Sequence, residues 1–129
     1  MPRDLINPPE LHPTPGFSHI AVPKGARLVF VAGQVALDRE FNVVGDDLET
    51  QTRAAMENVG TALGAIGASF DDVVRRTIYT KEPTEFETIT RAIEAVQGSD
   101  RHPPQTIVGV TGLALPELLI EIECTVSID

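Results

Sequence analysis

The spacing of apolar and polar residues changes period several times along the chain. Residues 1–16 hold five prolines and little periodicity, which predicts an extended N-terminal arm. "FSHIAV" (17–22) alternates loosely, "PKGAR" (23–27) reads as a turn, and "LVFVAG" (28–33) is a short apolar run ending at glycine. Together they predict a β-hairpin. "LDREFNVVGD" (37–46) reads as a loop with a short edge strand at 41–44. The period then lengthens. Leu48, Thr52, Ala55, Met56, Val59, Ala62, Leu63 and Ile66 fall on one helical stripe. Asp46, Asp47 and Glu49 stand at its start, where the helix dipole favours negative charge, and Gly67 closes it as a C′ residue.

"VVRRTIYTK" (73–81) returns to strand character. A second helix follows: Thr84, Glu85, Phe86 and Glu87 fit a capping box, and Phe86, Ile89, Ile93 and Val96 form its buried face. "TIVGVT" (106–111) is a strand. In "LLIEIECTVSI" (118–128), Ile120, Ile122, Cys124, Val126 and Ile128 point one way, while Glu121, Glu123, Thr125 and Ser127 point the other. The predicted order is β-β-α-β-α-β-β, an α+β fold with two helices on one face of a mixed sheet, in one domain spanning 1–129. Two helices cover one face only. The other would expose a large apolar patch, and self-association is the economical way to cover it.

Composition narrows the function classes. The 129 residues are 42% hydrophobic and 22% charged, as in ordinary globular domains. No apolar run approaches the roughly 20 residues needed to span a bilayer. The N-terminus lacks the apolar segment of a signal peptide, and Cys124 is the lone cysteine, so a cytoplasmic location is expected. The net charge of −9, with only Arg75 and Arg76 adjacent, argues against nucleic-acid binding, which depends on neutralising phosphates.

Candidate chemistry is sparse. His12, His19 and His102 have no metal-ligand spacing to one another or to Cys124, so they read as surface or partner-contact histidines and no metal is expected. Cys124 sits among isoleucines and reads as a small buried hydrophobe. "GAIGAS" (64–69) ends a helix rather than opening one and reads as a C-cap, not a phosphate loop. Glu121 and Glu123 share one face of the last strand. They are solvated glutamates if that face stays wet, and usable acids or bases if oligomerisation buries it.

"FVAGQVALD" (30–38), the helix and strand of "GDDLETQTRAAMENVGTALGAIGASFDDVVRRTIYTK" and the closing "LALPELLIEIECTVSI" resemble the Rid family, also called YjgF or RidA-like, from about Phe17 to Ile128. The resemblance implies a chorismate-mutase-like α+β fold assembled as a homotrimer, with clefts between neighbouring subunits. The best-known members are enamine/imine deaminases that release 2-keto acids and ammonia without a cofactor. It further implies that Gly33, Gln34, Ile107 and Val108 line the cleft and that Glu121 positions the attacking water.

Other positions depart from the deaminase pattern. Gln105 replaces the arginine that grips the substrate carboxylate, and Ile107 replaces a cysteine. Phe17 stands where tyrosine is usual, Thr90 corresponds to an asparagine, and Ala32 to a serine. A neutral amide contributes about 0.5–1.5 kcal/mol to such a contact, against about 1.5–3 for a charge-assisted bond. Gln105 is therefore expected to touch a ligand but to be a poor carboxylate clamp, with no cation nearby except Arg101 on the approach loop. Three functions follow from the resemblance: an imine or enamine hydrolase, a trimer that binds a small metabolite without turning it over, and an endoribonuclease or translation inhibitor, which the acidic charge opposes.

Overall fold

A computed structural model describes residues 3–129. Strand β1 (Arg3–Ile6) pairs antiparallel with β2 (Ile20–Pro23) as a separate two-stranded sheet. The main sheet contains β3 (Arg27–Gln34), β4 (Val73–Thr80), β5 (Gln105–Gly109) and β6 (Ile120–Ile128), in the order β3-β6-β4-β5. It is mixed: β4 and β5 are parallel, and the other pairs are antiparallel. Helices α1 (Leu48–Ala65) and α2 (Phe86–Gln97) supply the two crossovers. The α+β architecture read from the sequence is the one observed.

The predicted hairpin is not. The strand at 20–23 joins β1 rather than β3, because the N-terminal arm folds back and is pinned. Arg3 is buried at 1% exposure, and its guanidinium donates to the carbonyls of Phe70, Val73 and Arg101. Its Nη2 also lies 3.6 Å from the Asp71 carboxylate. Arg3 Nε has no partner among the described residues. The arm therefore contributes a strand that its prolines concealed. The edge strand expected at 41–44 reduces to an isolated bridge between Leu37 and Val43.

Helix α1 begins at Asp47, whose Oδ1 accepts the Thr50 amide at 2.7 Å. It ends in a Schellman turn: Ala68 N–H donates to Leu63 O, Gly67 N–H donates to Gly64 O, and Gly67 takes φ +70°. Gly67 thus closes the helix as expected, and "GAIGAS" is its C-terminus. Ile66, just past the last turn, is exposed rather than on the stripe. Helix α2 differs from expectation. Its N-cap is Glu85, with no side-chain cap. The chain leaves β4 through a tight turn that closes Glu85 N–H onto Glu82 O, while Thr80 Oγ1 accepts the Glu82 amide. That turn uses Thr84 as an interior residue, so the capping box does not form. Phe86 is exposed, and Ile89, Ala92 and Ile93 carry the buried face.

The core lies between the helices and one face of the sheet: Met56, Val59 and Leu63 from α1, Ile89 and Ile93 from α2, and Ile78, Ile120, Ile122, Cys124 and Val126 from the strands. Alternation in β6 holds as read, except that Ser127 is buried, its hydroxyl accepting the Gly25 amide. The opposite sheet face has no helix. Phe30 is 75% exposed there, and Leu28 and Val108 are also exposed.

Candidate functional site

A cavity of about 360 Å³ opens beside β5, between the arm and α2. Pro13, Pro15, Phe17, Pro83, Phe86 and Ile107 make its walls apolar, and His12, Thr90 and Gln105 supply polar groups. Its placement follows from β5. This edge strand alternates, so Gln105 and Ile107 share the helix side, paired with Arg76 and Ile78. Thr106 and Val108 turn to the open face.

Four of the eight residues expected at a site therefore meet in one cavity: Phe17, Thr90, Gln105 and Ile107. The others do not. Val108 lies on the open face opposite Tyr79, and Glu121 pairs with Tyr79 from the other side. Gly33 adjoins Glu121 closely: a Cβ on Gly33 would lie 2.0 Å from Glu121 Oε2, so glycine is what leaves room for that carboxylate. Gln34 pairs with Ile122 at the end of β3, and its amide turns back onto the Ala32 carbonyl. Tyr79 donates to Glu123 Oε1 at 2.6 Å, and this bond is the first cause of a raised phenol pKa. The candidate residues thus fall into two groups, Phe17, Thr90, Gln105 and Ile107 on the helix side of the sheet and Val108 and Glu121 on the open face.

Behind Gln105 runs a polar chain that the sequence reading missed. Arg76 is buried, and its Nε donates to Gln105 Oε1 at 2.6 Å. Arg76 Nη2 reaches His102 Nδ1 at 3.0 Å, and His102 Nε2 lies 2.7 Å from Glu94 Oε2. A guanidinium only donates, which makes Nδ1 the acceptor and puts the imidazole proton on Nε2, facing Glu94. Burial, opposed by the Glu94 hydrogen bond and reinforced by the Arg76 charge, lowers the His102 pKa. His102 is therefore not a surface histidine, and the expectation that no cation stands near Gln105 is overturned. The signal was present: adjacent arginines on a strand point to opposite faces, so one of Arg75 and Arg76 had to turn inward. Cys124 opposes Arg76 across the β4–β6 pair, and burial pushes its thiol up to about 11, as an inert core cysteine requires.

The arm closes the cavity from outside. Ser18 N–H donates to Pro103 O, and its hydroxyl donates to His102 O at 2.7 Å. Ser18 thereby fixes Phe17 beside Gln105. His12, placed by the arm, enters the cavity wall, a role no spacing rule could have suggested.

The architecture defines a class: an α+β domain with both helices on one face of a mixed sheet and a cavity at the sheet edge. Comparison with known proteins specifies it further. A sequence profile described as Endoribonuclease L-PSP matches residues 8–128. A solved Rid-family protein of unknown function from Yersinia pestis superimposes with a TM-score of 0.93 at 37% identity, over 99% of this chain and 100% of that one. The 3-aminoacrylate deaminase RutC of Acinetobacter baylyi is 31% identical over 123 residues, 95% of each chain. The 2-iminobutanoate/2-iminopropanoate deaminase of Salmonella typhimurium is 30% identical over 98 residues, 74% of this chain and 76% of that protein. The chain belongs to the Rid (YjgF) family. Among the described residues no helix is long and apolar enough to cross a membrane.

Proposed function

We propose that the protein binds a small metabolite in clefts between copies of itself and hydrolyses an imine or enamine there, with Glu121 positioning the water. The observation that carries this reading is the division of the site. Phe17, Thr90, Gln105 and Ile107 line a cavity on one side of the sheet, whereas Glu121 and Gly33 sit on the face that exposes Phe30 and Leu28. Packing of that face in a homotrimer would desolvate Glu121 and favour its action as a base. The names of the two deaminases related to this chain support the reaction type. In that reaction, an enamine having first tautomerised to the imine, water adds to the C=N carbon as Glu121 takes its proton and returns it to the nitrogen. The carbinolamine then transfers its hydroxyl proton to the amino group and expels ammonia to leave a carbonyl.

The test is release of keto acid and ammonia from freshly generated 2-iminopropionate. Acceleration by the wild-type protein, reduced about 10²- to 10⁴-fold in Glu121→Gln, is the expected result. Gly33→Ala should also lower the rate, because its methyl group would occupy the space of the Glu121 carboxylate. No acceleration over buffer for any imine would overturn the hydrolase reading. A second reading, a trimer that binds without turnover, is favoured by Phe17, which lacks a hydroxyl, and by Gln105. Thermal shifts by keto acids and amides that vanish in Gln105→Ala, with no turnover, would select it. The net charge of −9 opposes a ribonuclease function.

A further inference from the structure

Arg76 is an unusual buried cation. It is 2% exposed, and its Nε and Nη2 meet only neutral acceptors: Gln105 Oε1, the Gly16 carbonyl and His102 Nδ1. Among the described residues no carboxylate lies within salt-bridge distance of it. Glu94 reaches it only through the imidazole of His102. Arg3 adds a second positive charge to its surroundings, and the Cys124 thiol, pushed up to about 11, is neutral at ordinary pH. Desolvation lowers the Arg76 pKa to about 10, which still leaves it charged near neutrality. Buried charges are ordinarily paired, so the missing partner needs an explanation.

Among the described residues, the one side-chain hydrogen-bond partner of Arg76 that lines the 360 Å³ cavity is Gln105. Because Arg76 only donates, it holds the carboxamide with Oε1 turned toward itself. The amide has one polar group left, its NH₂, as the donor for a ligand. We propose that Arg76 is the charge of this cavity and determines its specificity, acting through Gln105, whose amide relays it to the anionic oxygen of a small carboxylate. Arg76 does not touch the ligand. It fixes the direction of the donor and sets the sign of the field there. An oxygen bonded to that NH₂ would lie one amide group from the guanidinium, on the order of 5–6 Å, where an effective dielectric of about 20 makes the attraction equivalent to about a hundred- to three-hundred-fold in affinity before solvent screening reduces it. Gln105 alone is a weak carboxylate clamp; Gln105 with a cation at its back is a stronger one. The inference rests on the reading of the cavity as a small-molecule site and is independent of whether the bound molecule is hydrolysed.

A matched pair of probes, pyruvate and its uncharged amide pyruvamide, tests it by ligand-observed NMR titration of the full chain. Wild-type protein should bind pyruvate at least about ten-fold more tightly than pyruvamide. Arg76→Gln should reduce that preference to about two-fold or less, because pyruvate loses both the charge and the oriented donor whereas pyruvamide loses only the orientation. Gln105→Glu, which gives Arg76 a carboxylate of its own and removes the donor, should lose pyruvate. Because Arg76 is buried, Arg76→Gln could fail to fold. In that event the wild-type preference and the ¹⁵Nε–H signal of Arg76 decide, the signal being expected to move with pyruvate and to stay still with pyruvamide. Equal binding of the two probes to wild-type protein would overturn the relay while leaving the cavity reading intact. Binding of neither would overturn the cavity reading and the relay with it.

Discussion

At the scale of single residues, the chemistry of this protein depends on which groups are kept from water. His102 is the clearest case. Arg76 donates to its Nδ1, so a second proton has no place to go without breaking that bond. The unfolded chain takes up this proton near the ordinary histidine value of 6.5, whereas the folded chain does so only at lower pH. The unfolded state therefore binds more protons below that value, and stability falls as pH drops through and below 6.5. Urea midpoints between about pH 7 and pH 5 should decline in the wild type and decline less in His102→Gln. A steeper decline in the variant would contradict the assignment of a neutral, buried imidazole. None of this was legible from the spacing of three scattered histidines. A histidine's role depends on its contacts, and those of His102 come from α2, β4 and the approach to β5, all distant in sequence.

At the scale of elements, the sequence was read well where one local rule decides and poorly where two compete. The α1 stripe, its Gly67 terminus and the alternation of β6 are set by periodicity and by one positive-φ position, and all three are found. The α2 capping box was overridden by the turn that leaves β4, and the hairpin by the fold-back of an arm held by one arginine. The C-terminal end of α1 offers a paired test. Gly64 is inside the helix and Gly67 is left-handed at φ +70°, with no atom within 4 Å of a Cβ at either. Gly64→Ala should stabilise by about 0.5–1 kcal/mol, and Gly67→Ala should destabilise by about 1–2 kcal/mol. Opposite signs from one substitution type, three positions apart, isolate backbone conformation from packing. Shifts of the same sign in denaturant unfolding would mean that the Schellman turn does not end this helix.

At the scale of the whole molecule, the sheet has one face built for the core and one that a single chain leaves uncovered. The argument from two helices and one sheet anticipated this, and Phe30, at 75% exposure, is its plainest mark. On the proposed reading that copies pack on this face and share a hydrolytic cleft, Phe30→Glu should give a light-scattering mass of one chain where the wild type gives a multimer, and should remove turnover, while the circular dichroism of the helices persists. A Phe30→Glu protein that keeps a multimeric mass would place the interface elsewhere. What the sequence could not supply was how the candidate residues divide between the two faces: a motif names residues but not the side of the sheet on which each one stands.

Strand β5 separates those residues by simple alternation, and its register against β4 starts directly after two prolines, Pro103 and Pro104, the second of which accepts the Arg76 amide. Deleting Gln105, the first strand residue after them, would exchange the two compartments, sending Thr106 and Val108 inward to face the helices and turning Ile107 outward. Loss of one codon here would be a change of address for each remaining side chain of β5, placing Thr106 where Gln105 now faces the cavity and Ile107 on the open face.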